Sequence, residues 1–154
     1  MAINSNTTFT AGAILTAAQM NRLPFGVVAY GGTATTQSGI TSITDLTSLT
    51  ATWTAIAGRT YLIQAFATAV SSVAADSIGL AIATSGGTTV AIGHAVSNTN
   101  AVAVALNVSY KVSPSAGSVT YKLRGQRGAG TGSVTFQADA LTPSYILVTD
   151  LGPA

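Results

Sequence analysis

The chain contains no cysteine and no glutamate. Without cysteine there is neither a disulfide frame nor a thiolate metal site. Charge of both signs is scarce: two Lys, four Arg and four Asp make up 6% of the 154 residues. That is about a quarter of the share in an ordinary soluble domain. With one His added, the pool is too small to equip an enzyme with acids, bases and metal ligands. No catalytic residue, metal or other cofactor is expected. No run approaches the ~20 apolar residues of a membrane helix. The opening Met1-Ala2-Ile3-Asn4-Ser5-Asn6 lacks the charged start and apolar run of a secretory signal. No membrane partner is expected.

The net charge of +2 and the isoelectric point near 9.2 rest on few groups. Nucleic-acid binding needs a dense Lys/Arg face. The best cluster, Lys122, Arg124 and Arg127, reads as an exposed strand end and its loop, so no nucleic-acid partner is expected. Gly128-Ala129-Gly130-Thr131-Gly132 superficially resembles a phosphate loop, but it lacks the following Lys and helix that give such a loop its mechanism. It reads as a flexible hairpin connection. His94 has no Cys or Glu to join it in a metal site and reads as packing or surface. The four Asp are scattered, and Asp76 and Asp150 read as turn residues.

What the chain has is Thr, Ser, Gly and Ala, with scattered aliphatics. A surface so poor in charge repels its neighbours weakly, which favours life against copies of itself or partner proteins. Residues 1–12 read as an extended arm. Thr16 and Gln19 form a capping box, and Leu15 and Met20 stand at the positions of a hydrophobic staple. Pro24 stops the helix. A helix of roughly two turns is expected over about 17–23, docked through Leu15, Met20 and Leu23, so that residues 1–25 make an arm-and-helix anchor.

From residue 26 to 154 the hydrophobic period is two. Strands are expected at 27–30, 49–54, 59–70, 77–84, 88–96, 101–112, 119–125, 133–138 and 145–150, with a long Thr/Ser/Gly-rich connection over 33–48 that holds a little strand or a tucked loop. Eight or nine strands and one small helix point to an antiparallel sandwich or barrel, not a parallel sheet with crossover helices. Ala101 to Leu106 and Leu62 to Val70 are apolar on both faces. A strand apolar on both sides is covered on both sides, so Val102, Val104 and Leu106 are candidate interface residues: one face on the core, the other on a second subunit.

Three segments carry a family resemblance. Phe9-Thr10-Ala11-Gly12-Ala13-Ile14-Leu15-Thr16-Ala17-Ala18-Gln19-Met20-Asn21, followed by Gly26-Val27-Val28, looks like the opening of many small structural proteins of tailed bacteriophages. Ala57-Gly58-Arg59-Thr60-Tyr61 and the close from Pro143 through Pro153 resemble them too, in the same order along the chain. The resemblance implies an all-β, jelly-roll-like sandwich similar to the trimeric heads of the tumour-necrosis-factor type. It further implies a non-enzymatic virion protein: a capsid-decoration, minor tail or fibre knob, homotrimeric, bound to major capsid or tail proteins. The chain departs from the longer members in lacking a collagen-like or coiled-coil shaft, which favours a compact knob. The alternative is a receptor- or carbohydrate-binding module of the virion, with a host-surface glycan held by the loops near 84–88, 97–100 and 125–132. A small outer-membrane barrel is the third reading, and an enzyme comes last.

Overall fold

A computed structural model describes residues 14, 16–98 and 102–154. Residues 1–12, read as an arm, lie outside the described residues, and the first element is a single helical turn, α1 (Ala17–Met20). Its bonds run from Met20 N to Thr16 O (3.0 Å) and from Asn21 N to Ala17 O (2.9 Å). The expected helix to residue 23 is cut short. Leu23 N reaches only the Met20 carbonyl, and Pro24 has no N–H to continue the ladder and disfavours helical dihedrals at Leu23. Leu15 lies outside the described residues, as does the Gln19 side chain.

Ten strands follow: β1 (Gly26–Thr33), β2 (Gln37–Ile40), β3 (Thr44–Ala55), β4 (Arg59–Ser71), β5 (Ser77–Thr84), β6 (Thr89–Val96), β7 (Val104–Val112), β8 (Gly117–Ala129), β9 (Val134–Gln137) and β10 (Ser144–Pro153). The count exceeds eight because two lanes are interrupted. β10 pairs with Arg59–Phe66 of β4 and β9 with Thr68–Ser71 on the same edge, while β7 runs along the other edge. β1 pairs with β10, and β2 with β9. The first sheet is therefore four lanes wide, β1/β2, β10/β9, β4 and β7. The second has the order β3-β8-β5-β6. All pairs are antiparallel, and apart from the β5–β6 hairpin, lanes adjacent in space come from distant parts of the chain. This is an all-β jelly-roll sandwich of two four-lane sheets.

Period-two burial builds the core. β4 turns Tyr61, Ile63, Ala65, Ala67 and Ala69 inward, and β10 turns Ile146 and Val148 inward. They meet Leu49, Ala51 and Trp53 of β3, Ile78, Leu80 and Ile82 of β5, and Tyr121 and Leu123 of β8. Trp53 packs between Tyr61 (centroids 5.4 Å apart) and Tyr121 (5.9 Å), so the one tryptophan fills the middle of the sandwich, where aromatics bury the most surface per residue.

The strand directions give the sandwich two distinct ends. β1 and β4 begin, and β10 ends, at the arm end, joined there by loops 56–58, 85–88 and 113–116. Loops 72–76 and 130–133, with residues 97–98, lie at the opposite end, while 138–143 bulges out midway along the β9/β10 lane.

Candidate functional site

At the arm end, Arg59 opens β4 with the same parity as Tyr61 and Ile63, so its side chain turns inward and is 4% exposed. Asp150 has the parity of Ile146 and Val148 and is 1% exposed. The two meet in a bidentate pair: Nε donates to Oδ2 and Nη2 to Oδ1, each at 2.7 Å. The carboxylate beside it raises the Arg59 pKa further above its ordinary value. The same guanidinium reaches back to the arm. Nη1 donates to the Asn21 carbonyl (2.6 Å) and Nη2 to that of Leu23 (2.7 Å), while the Phe25 ring lies 3.9 Å over Cζ. Gly152 N also donates to Asp150 Oδ1 (2.7 Å). Four of the five guanidinium N–H groups are thus used to lock the arm's exit onto the sandwich. The three segments that carry the phage resemblance converge on this node: Asn21 from the first, Arg59 from the second, Asp150 and Gly152 from the third.

Asp150 is therefore a strand residue in a buried pair, not the expected turn residue. Asp76 does organise loops, at the opposite end. It accepts from Ser71 Oγ (2.6 Å), Gly132 N (2.8 Å) and Thr131 N (3.1 Å). Gly130 and Gly132 leave no space for a Cβ, which would collide with that carboxylate. The glycine-rich segment is thus wrapped around an internal carboxylate and is not the loose connection its composition suggests. Arg127 donates to the Gly132 carbonyl from the same side. The Ser71 hydrogen bond, with the two backbone donors, holds the Asp76 pKa below the usual carboxylate range. A carboxyl group lowered on folding stabilises the fold above its unfolded pKa, and that contribution vanishes as pH falls through the folded value. Wild type is therefore expected to be more stable than Asp76→Asn at neutral pH, with the gap in thermal midpoint closing in acid. A gap that stays constant through the acid range would refute this role.

The two outer faces differ in chemistry. On the second sheet Thr50, Thr52 and Thr54 of β3 stand beside Lys122, Thr120 and Ser118 of β8, and Thr52 and Thr120 share a hydroxyl bond of 2.8 Å. Asp45 is paired with both Lys122 (2.6 Å) and Arg124 (2.8 Å), which draw its pKa down, Lys122 first. Two of the three cations in the expected basic cluster thus converge on one carboxylate, and Arg127 is turned to the far-end loop. His94 is exposed on this face, 3.5 Å from Ser77 Oγ.

The outer face of the first sheet is mainly aromatic and aliphatic across β1, β10 and β4, with Gln64 exposed among them, and polar along β7. Its cross-strand rows read Val27–Thr149–Leu62–Lys111, Tyr30–Leu147–Gln64–Ser109 and Gly32–Tyr145–Phe66–Asn107. Tyr145 stacks on Tyr30 (6.3 Å) and on Phe66 (5.7 Å), a ladder spanning three lanes. Gly32 permits it, because a Cβ there would strike the Tyr30 ring. Val27 and Tyr30 are 61% and 60% exposed. Among the described residues, Lys111 at the rim is the one charged side chain in these rows.

The sequence-predicted interface residues lie elsewhere. Val104 and Leu106 pair with Ala69 and Ala67 and turn into the domain's own core, where Leu106 is 3% exposed. Val102 precedes β7 and is exposed at the far end. The correction follows from strand parity: Asn107, Ser109 and Lys111 take the outer positions of β7, so the even-numbered residues face in. In the arm, Thr16 and Met20 are exposed and Leu23 is half-buried. The three candidate glycan loops do not converge: 85–88 lies at the arm end, residues 97–98 and 130–132 at the other, and 125–129 belongs to β8.

Among the described residues no group of three or more potential ligands could hold a metal, and no helix is long and apolar enough to cross a membrane. No family model matches the sequence, and no curated protein matches it. The fold does have solved counterparts. The chain is similar to Eiger TNF from S. frugiperda, with 12% identity over 84% of this chain and 95% of that one, at a TM-score of 0.55. At such identity the likeness establishes the fold alone. Two weaker likenesses, to an arabinose-bound α-L-arabinofuranosidase (12% identity, 86% of this chain, 24% of that one, TM-score 0.39) and to infectious bursal disease virus Gx strain (15%, 86% and 40%, TM-score 0.36), carry no inference.

Proposed function

We propose that this chain is a non-enzymatic structural protein of a tailed-bacteriophage virion. It is a homotrimeric jelly-roll knob that decorates the capsid or sits on the tail, held to the particle through its N-terminal arm. The outer face of the first sheet carries this reading. Its aromatic ladder and the aliphatic residues of β1, β10 and β4 form an apolar patch, bordered by the polar lane of β7, of the kind that marks an interaction site. The face is almost free of charge, so copies can meet across it without like-charge repulsion. The outer face of the second sheet, with hydroxyls and paired charges on β3 and β8 beside exposed Ile92 and Val96 of β6, is the more polar of the two. Closed rotational assembly is the common way for one surface to cover itself. The arm lock adds what an anchor needs, since tension on the arm passes through Arg59 into β4 and β10. The glycan-binding alternative is less favoured, because its candidate loops are split between the two ends.

Size-exclusion chromatography with light scattering at micromolar concentration is expected to give three times the 15.3 kDa chain mass. A clean monomer would overturn the assembly. Labelled protein in electron micrographs of the particle then distinguishes shell from tail, and its absence from both would remove the virion reading.

A further inference from the structure

β10 starts on a buried hydroxyl. Ser144 has the inward parity of Ile146 and Val148 and is 1% exposed. Its Oγ has no hydrogen-bond partner among the described residues. A buried hydroxyl left without a partner costs the fold its desolvation. Ser144 also sits where two lanes of the first sheet break. Its pairing with Thr33 is the last between β10 and β1, and Gln37 with Phe136 belongs to the continuation of the same lanes in β2 and β9. At the break lies a cavity that gives the centre of a water molecule about 10 Å³ of room. That is about the least one water needs and too little for two. The lining includes apolar Leu46, Leu49 and Phe136 and polar Thr33, Gln37 and Ser144.

We infer that one structural water molecule is bound at this break, with Ser144 Oγ as its anchor and Thr33 and Gln37 as its other partners. The polar lining has the capacity for it. Thr33 Oγ1 accepts from Thr35 N (3.1 Å) and keeps its own hydrogen to give. Gln37 Oε1 accepts from Thr47 N (2.9 Å), and Nε2 donates to the Asp45 carbonyl (3.2 Å). These bonds hold the amide against β3 and leave it one N–H and one lone pair. With Ser144 that makes three polar groups, the usual number around a buried water. A cavity lined by Leu46, Leu49 and Phe136 alone would stay dry. The water joins β10 to β1 and, through Gln37, to β2 and β3, so it links the two sheets where backbone pairing lapses. The site lies within one chain and needs no neighbour, so it stands whether or not the chains assemble.

Ser144→Ala is the test, because alanine keeps the backbone pairing with Thr33 and removes only the hydroxyl. High-resolution crystal structures of both proteins are compared, and both are melted at one protein concentration. In wild type a water is expected about 2.7–3.0 Å from Ser144 Oγ, and its density is expected to be lost in Ser144→Ala. The thermal midpoint is expected to fall by about 2–6 °C. A dry hydroxyl predicts the opposite sign, since deleting an unpaired buried polar atom leaves stability unchanged or raises it. A midpoint that holds or rises in Ser144→Ala would therefore overturn the site. So would a wild-type structure with no water at Ser144 Oγ. A water that keeps its position in Ser144→Ala would overturn Ser144 as the anchor.

Discussion

Arg59→Ala is expected to lower the thermal midpoint by roughly 10 °C or more, because it strips a buried carboxylate of its partner. Asp150 is 1% exposed. The variant leaves it with the Gly152 N–H as donor and frees the Asn21 and Leu23 carbonyls at the same time. Breaking a buried ion pair from one side costs about 3–5 kcal/mol. For a domain of this size each kcal/mol corresponds to roughly 2–4 °C. Arg59→Lys is expected to recover little, since an ammonium cannot span both carboxylate oxygens and two carbonyls. The paired change Arg59→Met/Asp150→Leu separates the two roles. It removes both charges, so most of the body's stability should return, yet nothing then holds the arm. Trypsin reads the arm directly, for Arg22 is the one Lys or Arg before Arg59. Cleavage there is expected to rise about tenfold or more in both the single and the paired variant. Cleavage at the wild-type rate in the paired variant would show that Arg59 is not the lock. The melts are compared at one protein concentration, since an assembling protein's stability depends on it.

The lock could have been found in the sequence, though strand reading alone passes over it. Period two reveals β4 and β5 almost to the residue, because polar and apolar side chains there alternate or run unbroken between turn residues. The same parity places Arg59 with Tyr61 and Ile63, and Asp150 with Ile146 and Val148. Two opposite charges at core positions, in a chain with so few, signal a buried pair. Sequence distance hides it: 91 residues separate the partners, and a lone Asp near Gly152 and Pro153 looks like a turn. The misplacement of Val104 and Leu106 has a related cause. Alanine fits either face, so Ala101 to Leu106 carries no parity of its own. The direction is set downstream, where Asn107, Ser109 and Lys111 must face water. The outer ladder was harder to see. Tyr30, Tyr145 and Phe66 lie on three separate strands, and only the register of β1, β10 and β4 lines them up. The short helix followed from local chemistry, but Pro24 acts one turn earlier than the apolar spacing suggests.

The second large effect concerns that ladder. Tyr145→Asp is expected to convert the proposed trimer to monomer across the micromolar range, weakening association by about a hundredfold or more. Tyr145 stands between Tyr30 and Phe66, so its loss removes both stacking contacts. Assembly around a three-fold axis would then gather three carboxylates on a surface whose nearest cation in these rows is Lys111, one lane beyond Leu62. The side chain is half-buried and points away from the core, so the monomer keeps its strands, and far-ultraviolet circular dichroism should be unchanged. Thr52→Asp is the matched control. It places the same charge on the outer face of the second sheet, where Thr52 is exposed beside Thr120, and the trimer is expected to persist. The pair of variants tests which face is covered as well as whether one is. If Thr52→Asp dissociates the assembly and Tyr145→Asp does not, the chains meet through the hydroxyl face, and the apolar rows must be covered by the particle instead.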